Sequence, residues 1–276
     1  MDFKNENIWL MQGDCLERMK EIPDGSVDMV LCDPPYGTVK CRWDSVVDLN
    51  LMWAQLKRVI KPSGAIVITA SQPFTSTLIM SCPDLYKYSW TWIKNRCGNF
   101  MAAKYKPLKY TEDIVVFGFG AVNTKGGRGG GKTKRPYLEY NPVGFTEDKS
   151  IVVRNTPLPT YGINRWNKLS NVEFKSNGKD YPKDFIIFDM PPNKERIHPT
   201  QKPVELMEYM VKTYTNEGET VLDFTMGSGA TIKACNNLNR KAIGIEMGHC
   251  EKKGHKYEGM EWTDVLIDQL ELKEIT

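Results

Sequence analysis

The chain has 276 residues, 41% hydrophobic and 26% charged, with a net charge of +3. This is ordinary globular composition, enough for one large α/β domain with an insert or for two domains, and so mild a charge assigns no partner by itself. No apolar run approaches the roughly 20 residues a membrane span needs, and seven scattered cysteines without a CxxC pair argue against a disulfide framework or a structural zinc. The expectation is a soluble, cytoplasmic protein with no membrane association and no metal site.

In chain order, NIWLMQ (residues 7–12) predicts a strand ending at Gly13-Asp14, and residues 15–21 predict a short helix before a turn at Pro23-Asp24-Gly25. The near-continuous apolar run VDMVLC (27–32) predicts a strand covered on both faces. Residues 48–60 have helical periodicity, stopped by Pro62-Ser63-Gly64. AIVITA (65–70) predicts a second buried strand, and residues 73–80 a helix. YSWTWIK (88–94) and EDIVVFGFG (112–120) predict two further strands.

The texture then changes. Residues 123–135 contain KGGRGGGKTKR, which reads as a flexible basic loop. From about residue 137 to 196 there is no sustained period, and aromatics such as Tyr140, Tyr161, Trp166, Phe174 and Tyr181 are frequent. An insert of about 60–70 residues is too long for a structureless loop in a core, so a subdomain or functional arm is expected. Between residues 94 and 140 ten Lys or Arg stand against three Asp or Glu, a local +7 that leaves −4 for the rest. Such asymmetry suits either a solvated basic surface or a face that binds a polyanion.

Regular patterning returns with a helix over residues 204–214, a strand over 219–224, a helix from Gly227 to about Asn239, a strand over 241–246 and a helix over 263–272. Strands alternating with helices predict an α/β fold with a doubly wound, mostly parallel sheet.

Two stretches carry chemistry. In VLDFTMGSGATIKACNNLNRKAIGIEM a strand ends at Asp223, a turn holds Gly227-Ser228-Gly229, a helix follows, and the next strand ends in Glu246. Glycines let a ligand approach the backbone, the helix N-terminus offers free N–H donors, and a carboxylate at the second strand end can accept from both ribose hydroxyls. This is the layout of a nucleoside-cofactor site. A dinucleotide is disfavoured, because the place of a third glycine is taken by Ile232. Asp223 favours S-adenosylmethionine, whose cationic end suits a carboxylate. The other stretch is Asp33-Pro34-Pro35-Tyr36, directly after a buried strand. The prolines hold the backbone extended. A carboxylate, outward carbonyls and a flat ring together suit a planar group bearing an amine, although a rigid strand exit capped by Tyr36 would use the same residues.

Taken together, Asp33-Pro34-Pro35-Tyr36 and the turn from Asp223 to Gly229 resemble the amino-group DNA methyltransferases, which use S-adenosylmethionine to methylate N6 of adenine or N4 of cytosine. With the tetrapeptide first and the cofactor glycines last, the chain resembles their beta class. Gly13-Asp14-Cys15, HPTQKP (198–203) and KYTEDIVVFG (109–118) extend the resemblance to most of the chain outside about residues 120–196.

The resemblance implies a circularly permuted, seven-stranded Rossmann-like methyltransferase sheet that begins with the family's third strand at Asn7. It implies a catalytic part over residues 1–119, a target-recognition insert over 120–196 and a cofactor-binding part over 197–276. Catalysis would rest on Asp33, Pro34, Pro35 and Tyr36. Cofactor contacts would come from Asp14, Cys15, Thr200, Gln201, Lys202, Asp223, Phe224, Thr225, Gly227, Ser228, Gly229 and Glu246. Many members have proline and phenylalanine where this chain has Phe224 and Thr225, which bears on contacts to the methionine portion. Lys104, Lys106, Lys125, Arg128, Lys132, Lys134 and Arg135 are expected to meet phosphates of double-stranded DNA. A homodimer is an expectation by resemblance only.

On this reading Asp33 and the Pro34 carbonyl accept the amine's two N–H bonds, and Tyr36 stacks on a base taken out of the duplex. An Asp-initiated tetrapeptide favours adenine by family analogy, with N4-cytosine as the alternative. The absence of a Pro-Cys pair argues against carbon-5 chemistry. A NAD-dependent oxidoreductase, a DNA-binding protein without catalysis, and an RNA or protein amine methyltransferase are the other readings. The glycine spacing disfavours the first and the intact motifs the second.

Overall fold

Val27–Cys32 forms a strand whose six residues are all buried, with a parallel strand paired on each of its two edges. In the computed structural model, residues 2–38, 45–97, 100–122, 136–143, 146–147, 179–192, 194–198 and 200–272 are described. The strands are β1 (Phe3–Lys4), β2 (Ile8–Gln12), β3 (Val27–Cys32), β4 (Ile60–Ala70), β5 (Tyr86–Ile93), β6 (Thr111–Gly118), β7 (Thr146–Glu147), β8 (Lys179–Asp180), β9 (Phe185–Ile187), β10 (Thr220–Asp223) and β11 (Lys241–Glu246). The α-helices are α1 (Cys15–Arg18), α2 (Leu49–Val59), α3 (Phe74–Ser81), α4 (Val204–Tyr214), α5 (Ala230–Asn237) and α6 (Trp262–Gln269).

The chain separates into two compact units, one of Met1–Asn141 with Asp184–Thr276 and one of Pro142–Lys183. The first holds a sheet in the order β1-β2-β11-β10-β3-β4-β6-β5-β9. From β2 to β4 all neighbours are parallel, and β6 runs antiparallel to both β4 and β5. The seven strands from β2 to β5 form the mostly parallel Rossmann-like sheet. β10 and β11 come last in the chain yet lie between β2 and β3, so the permutation implied by the motif order is present in the strand order. In the second unit β7 and β8 pair antiparallel.

Side-chain alternation on β3 divides the core. Met29 and Leu31 enter a layer shared with Leu206, Met210 and Val211 of α4 and Ile232 of α5. Val30 and Cys32 enter the other, with Met52 and Leu56 of α2 and Leu78 of α3. Each large side chain so buried contributes roughly 1.5–3 kcal/mol. Helix α2 starts where Asp48 accepts from the N–H groups of Asn50 and Leu51, at 2.9 and 3.0 Å.

Three local outcomes differ from the sequence expectation. Pro62-Ser63-Gly64 is not a loop: α2 ends at Val59, β4 starts at Ile60, and the pairing with β3 jumps from Ile60 to Ala65. A proline without an N–H is accommodated where the ladder is already broken. The helix after the glycine turn spans Ala230–Asn237, shorter at both ends than expected. β9 pairs parallel with β5, although residues 120–196 show no strand period of useful length. That strand and the bridge between Ala121 and Tyr137 belong to the first unit, so the second unit is narrower than the expected insert. Among the described residues no helix is long and apolar enough to cross a membrane.

Candidate active site

Four parallel strands deliver the site. Gly13 and Asp14 follow β2, Asp33 follows β3, Asp223 ends β10 and Glu246 ends β11. These are carboxyl ends on one edge of the sheet, where open α/β folds place ligands. They open on a cleft of about 1880 Å³. Asp14, Cys15, all four tetrapeptide residues, Thr200, Gln201, Lys202, Asp223, Phe224, Thr225, Gly227, Ser228 and Glu246 line it.

Gly229 stands apart from that set. It caps α5 in a left-handed conformation at φ 75°, and a Cβ there would lie 2.3 Å from Leu266 Cδ2. It shapes the turn from behind. At Gly227, by contrast, a Cβ would meet nothing within 4 Å. Its N–H points to Glu246 Oε2 at 2.9 Å. Glu246 Oε1 accepts from the N–H groups of Met247 and Gly248 at 3.0 and 2.8 Å. A carboxylate has about four lone-pair sites, so three backbone bonds leave one, on Oε2, for a ribose hydroxyl.

Asp223 is buried and has no ion pair among the described residues. Burial pushes its carboxyl up to about 7; hydrogen bonds from Thr231, the Thr225 N–H and Cys32 oppose this, and the charge of Asp33 adds to it. Asp14 caps α1, accepting from Leu16 and Glu17 N–H at 2.8 and 3.4 Å. Burial, with the charge of Asp14 adding, pushes the Cys15 thiol up to about 12, so it is a neutral wall rather than a nucleophile. Phe224 is fully buried and packs in the α2 layer. Thr200 Oγ1 lies 3.0 Å from His198 Nδ1, and Gln201 Oε1 accepts from Ile197 N–H at 3.0 Å.

Thr225 joins the two motifs. Its hydroxyl donates to the Asp33 backbone carbonyl at 3.3 Å and lies 2.9 Å from Cys32 Sγ. The tetrapeptide and the glycine turn, about 190 residues apart in sequence, are thereby in direct contact.

The Asp33 carboxylate is more heavily engaged than its sequence context suggests. Oδ1 accepts from Tyr36 Oη at 2.6 Å and from Thr69 Oγ1. Oδ2 accepts from Lys202 Nζ at 2.7 Å. Lys202, expected at the cofactor's methionine end, thus turns its ammonium to the Asp33 carboxylate. Glu112 Oε2 lies 3.3 Å from the same nitrogen, and Lys94 donates to Glu112 Oε1 at 2.6 Å. The Tyr36 ring stacks on Phe74 with centroids 5.3 Å apart at 22°. Burial, and then the Asp33 charge, hold its hydroxyl well above the ordinary range, so it remains a neutral donor.

Thr69, Phe74, Lys94 and Glu112 also belong to the site, and no local motif in the sequence marks them. Thr69 follows Ile68, the partner of Cys32 in the ladder, and so falls beside Asp33; only the pairing reveals this. Glu112 lies in β6, whose apolar pattern gives a charged side chain no role. Lys106 borders the cleft and is exposed, and Lys104 ends a 3-10 turn, Phe100–Lys104, away from the cleft lining. Lys125, Arg128, Lys132, Lys134 and Arg135 lie outside the described residues.

A family model described as DNA methylase matches residues 27–254. The DNA adenine methyltransferase YhdJ of Escherichia coli (strain K12) is 27% identical over 266 residues, covering 89% of this chain and 80% of that protein. The solved M1.HpyAVI-SAM complex superposes with a TM-score of 0.55 at 21% identity, over 95% of this chain and 99% of that one. The PvuII DNA methyltransferase (cytosine-N4-specific) gives 0.60 at 13% identity, over 99% and 95%. These two structural likenesses speak for the fold.

Proposed function

The chain belongs to the DNA methylase family, and from that premise we propose that it transfers a methyl group from S-adenosylmethionine to N6 of an adenine flipped out of double-stranded DNA. The observation that carries this reading is the Thr225 bond to Asp33, which sets an amine-accepting tetrapeptide against a nucleoside-type turn.

The residues present suit the cofactor. Gly227 leaves open space on the cleft, Glu246 keeps one acceptor site, and Asp223 is a buried carboxylate without an ion pair among the described residues. Gly227, Ser228 and Glu246 would hold the nucleoside, with Asp14 and Cys15 bordering the adenine. Asp223, Thr200 and Gln201 would hold the methionine portion. S-adenosylmethionine supplies an electrophilic methyl carbon on a sulfonium.

The chain's own residues prepare the nucleophile. An exocyclic amine is weak because its lone pair is delocalised into the ring. Asp33 and the Pro34 carbonyl accept its two N–H bonds, which favours a tetrahedral nitrogen and turns the lone pair outward. Tyr36, supported by Phe74, provides the ring on which the flipped base stacks. Residues 120–196 belong to this reading as the target-recognition region, as do a homodimer and a cytoplasmic setting.

Genomic DNA lacking methyl marks, incubated with the protein and S-adenosylmethionine and then sequenced for modified bases, is expected to show N6-methyladenine within one short sequence. N4-methylcytosine would replace the adenine reading, and methylation of RNA alone would remove DNA as the substrate.

A further inference from the structure

Four alternating charges run through the first unit beside the tetrapeptide: Asp33, Lys202, Glu112 and Lys94. Lys202 is 7% exposed, and its ammonium bonds Asp33 Oδ2 at 2.7 Å. Lys94 occupies Glu112 Oε1 at 2.6 Å. Glu112 Oε2 is buried and makes no hydrogen bond, although the Lys202 ammonium is only 3.3 Å away. A buried carboxylate oxygen without a hydrogen bond is costly and calls for an explanation. Here it is a second seat, already ion-paired at 3.3 Å but not hydrogen-bonded, for an ammonium that bonds Asp33 at 2.7 Å.

We propose that Glu112 is a positioning residue that draws the Lys202 ammonium off Asp33 when the target amine enters, so that Asp33 Oδ2 meets an N–H of N6 with its negative charge uncancelled. This rests on the methyltransferase reading above. The need for such a shift is electrostatic. Tyr36 and Thr69 take Oδ1 and Lys202 takes one lone pair of Oδ2, so the acceptor site that remains lies directly beside an ammonium. An ammonium in place also cancels most of the carboxylate's field, at the point where that field is needed. Methylation forms a C–N bond and leaves positive charge on N6, while sulfur keeps the electron pair of the broken C–S bond. One N6 proton then leaves along its hydrogen bond to Asp33 Oδ2. An ammonium held against that oxygen opposes both events, and one seated on Glu112 opposes them less.

The pair is electrically prepared for the exchange. Burial alone would raise the Glu112 carboxyl, but Lys202 and Lys94 outweigh it and hold the group below the ordinary range. Burial likewise acts to deprotonate Lys202, and the charges of Asp33 and Glu112 overcome it. The proton therefore stays on Lys202, and the exchange moves a charged group between two carboxylates without a proton transfer.

The test compares wild type with Glu112→Gln, which keeps the shape and removes the charge. The substrate is the duplex site identified by sequencing. Single-turnover methyl transfer by Glu112→Gln is expected to fall roughly 10²-fold. S-adenosylmethionine affinity should not change, and neither should the fluorescence rise of a duplex carrying 2-aminopurine at the flipped position. Glu112→Asp should recover part of the rate. In a Lys202→Met background, Glu112→Gln should cost nothing further, because Glu112 acts through Lys202. If Glu112→Gln does not fold, Glu112→Asp carries the test, with an intermediate rate at unchanged cofactor affinity. Wild-type rates in the folded variants, joint loss of rate and cofactor affinity, or additive effects with Lys202→Met would each overturn the proposal. A wild-type chain that transfers no labelled methyl to DNA would instead remove the reading on which it stands.

Discussion

Asp33 accepts from Tyr36, Thr69 and Lys202 at once, so its orientation is fixed before any substrate arrives. Asp33→Asn retains the size and removes the charge. It is expected to lower turnover at least about 10²-fold, with cofactor affinity intact by equilibrium binding; near-normal turnover would take Asp33 out of the mechanism. Asp223 makes a prediction about pH. Its folded value of about 7 lies above the ordinary 3.8, so its contribution to stability is fully present below 3.8 and is lost as pH rises through about 7. A cation bound beside it reverses the preference. Affinity for S-adenosylmethionine should therefore rise between roughly pH 6 and 8, with proton release on binding. Calorimetry in buffers of different ionisation enthalpy measures that release, and a pH-independent affinity would separate Asp223 from the cofactor's cationic end. Glu246→Gln changes an acceptor already committed to three backbone N–H groups. Weaker charge-assisted bonds should cost cofactor affinity roughly tenfold or more, leaving the rate at saturation near wild type.

At the scale of elements, α5 and α6 meet at Gly229 and Leu266. Gly229→Ala imposes a positive φ on a residue with a Cβ and drives that Cβ into Leu266. Backbone strain of about 1–3 kcal/mol and overpacking of similar size are expected. Adding Leu266→Ala should relieve the clash but not the strain, so urea unfolding of the double variant separates the two, after allowance for the cavity it leaves. Elements with a sustained apolar pattern were legible in the sequence. β3 spans residues 27–32 and α4 residues 204–214, as their apolar patterns required. β9 was not legible, because three residues carry too little period and its pairing with β5 supplies the rest. The same limit applied to the site. Asp33 and the glycine turn stood out as local motifs. The partners of Lys202 did not, because Asp33 and Glu112 meet it only through the strand order.

Over the whole molecule, basic charge gathers between residues 94 and 140. In its described part, Lys104 and Lys106 flank Tyr105, which is 88% exposed, with Phe100 and Met101 also exposed nearby. If both lysines meet phosphates, replacing them with alanine should reduce the slope of log affinity against log salt by about 1.8. An unchanged slope would place the DNA contacts elsewhere.

The strand order also has a bearing on synthesis. β2 and β3 leave the ribosome early, but the two strands that separate them are made last. Until β10 and β11 arrive, both earlier strands have an open edge at the middle of the future sheet, where stray pairing is a hazard. A chain ending before Glu219 should consequently partition into aggregates or onto chaperones, and should lack Asp223 and Glu246 altogether. Methylating capacity would then appear only after the final strands insert, which makes each finished molecule its own proof of complete translation through residue 246.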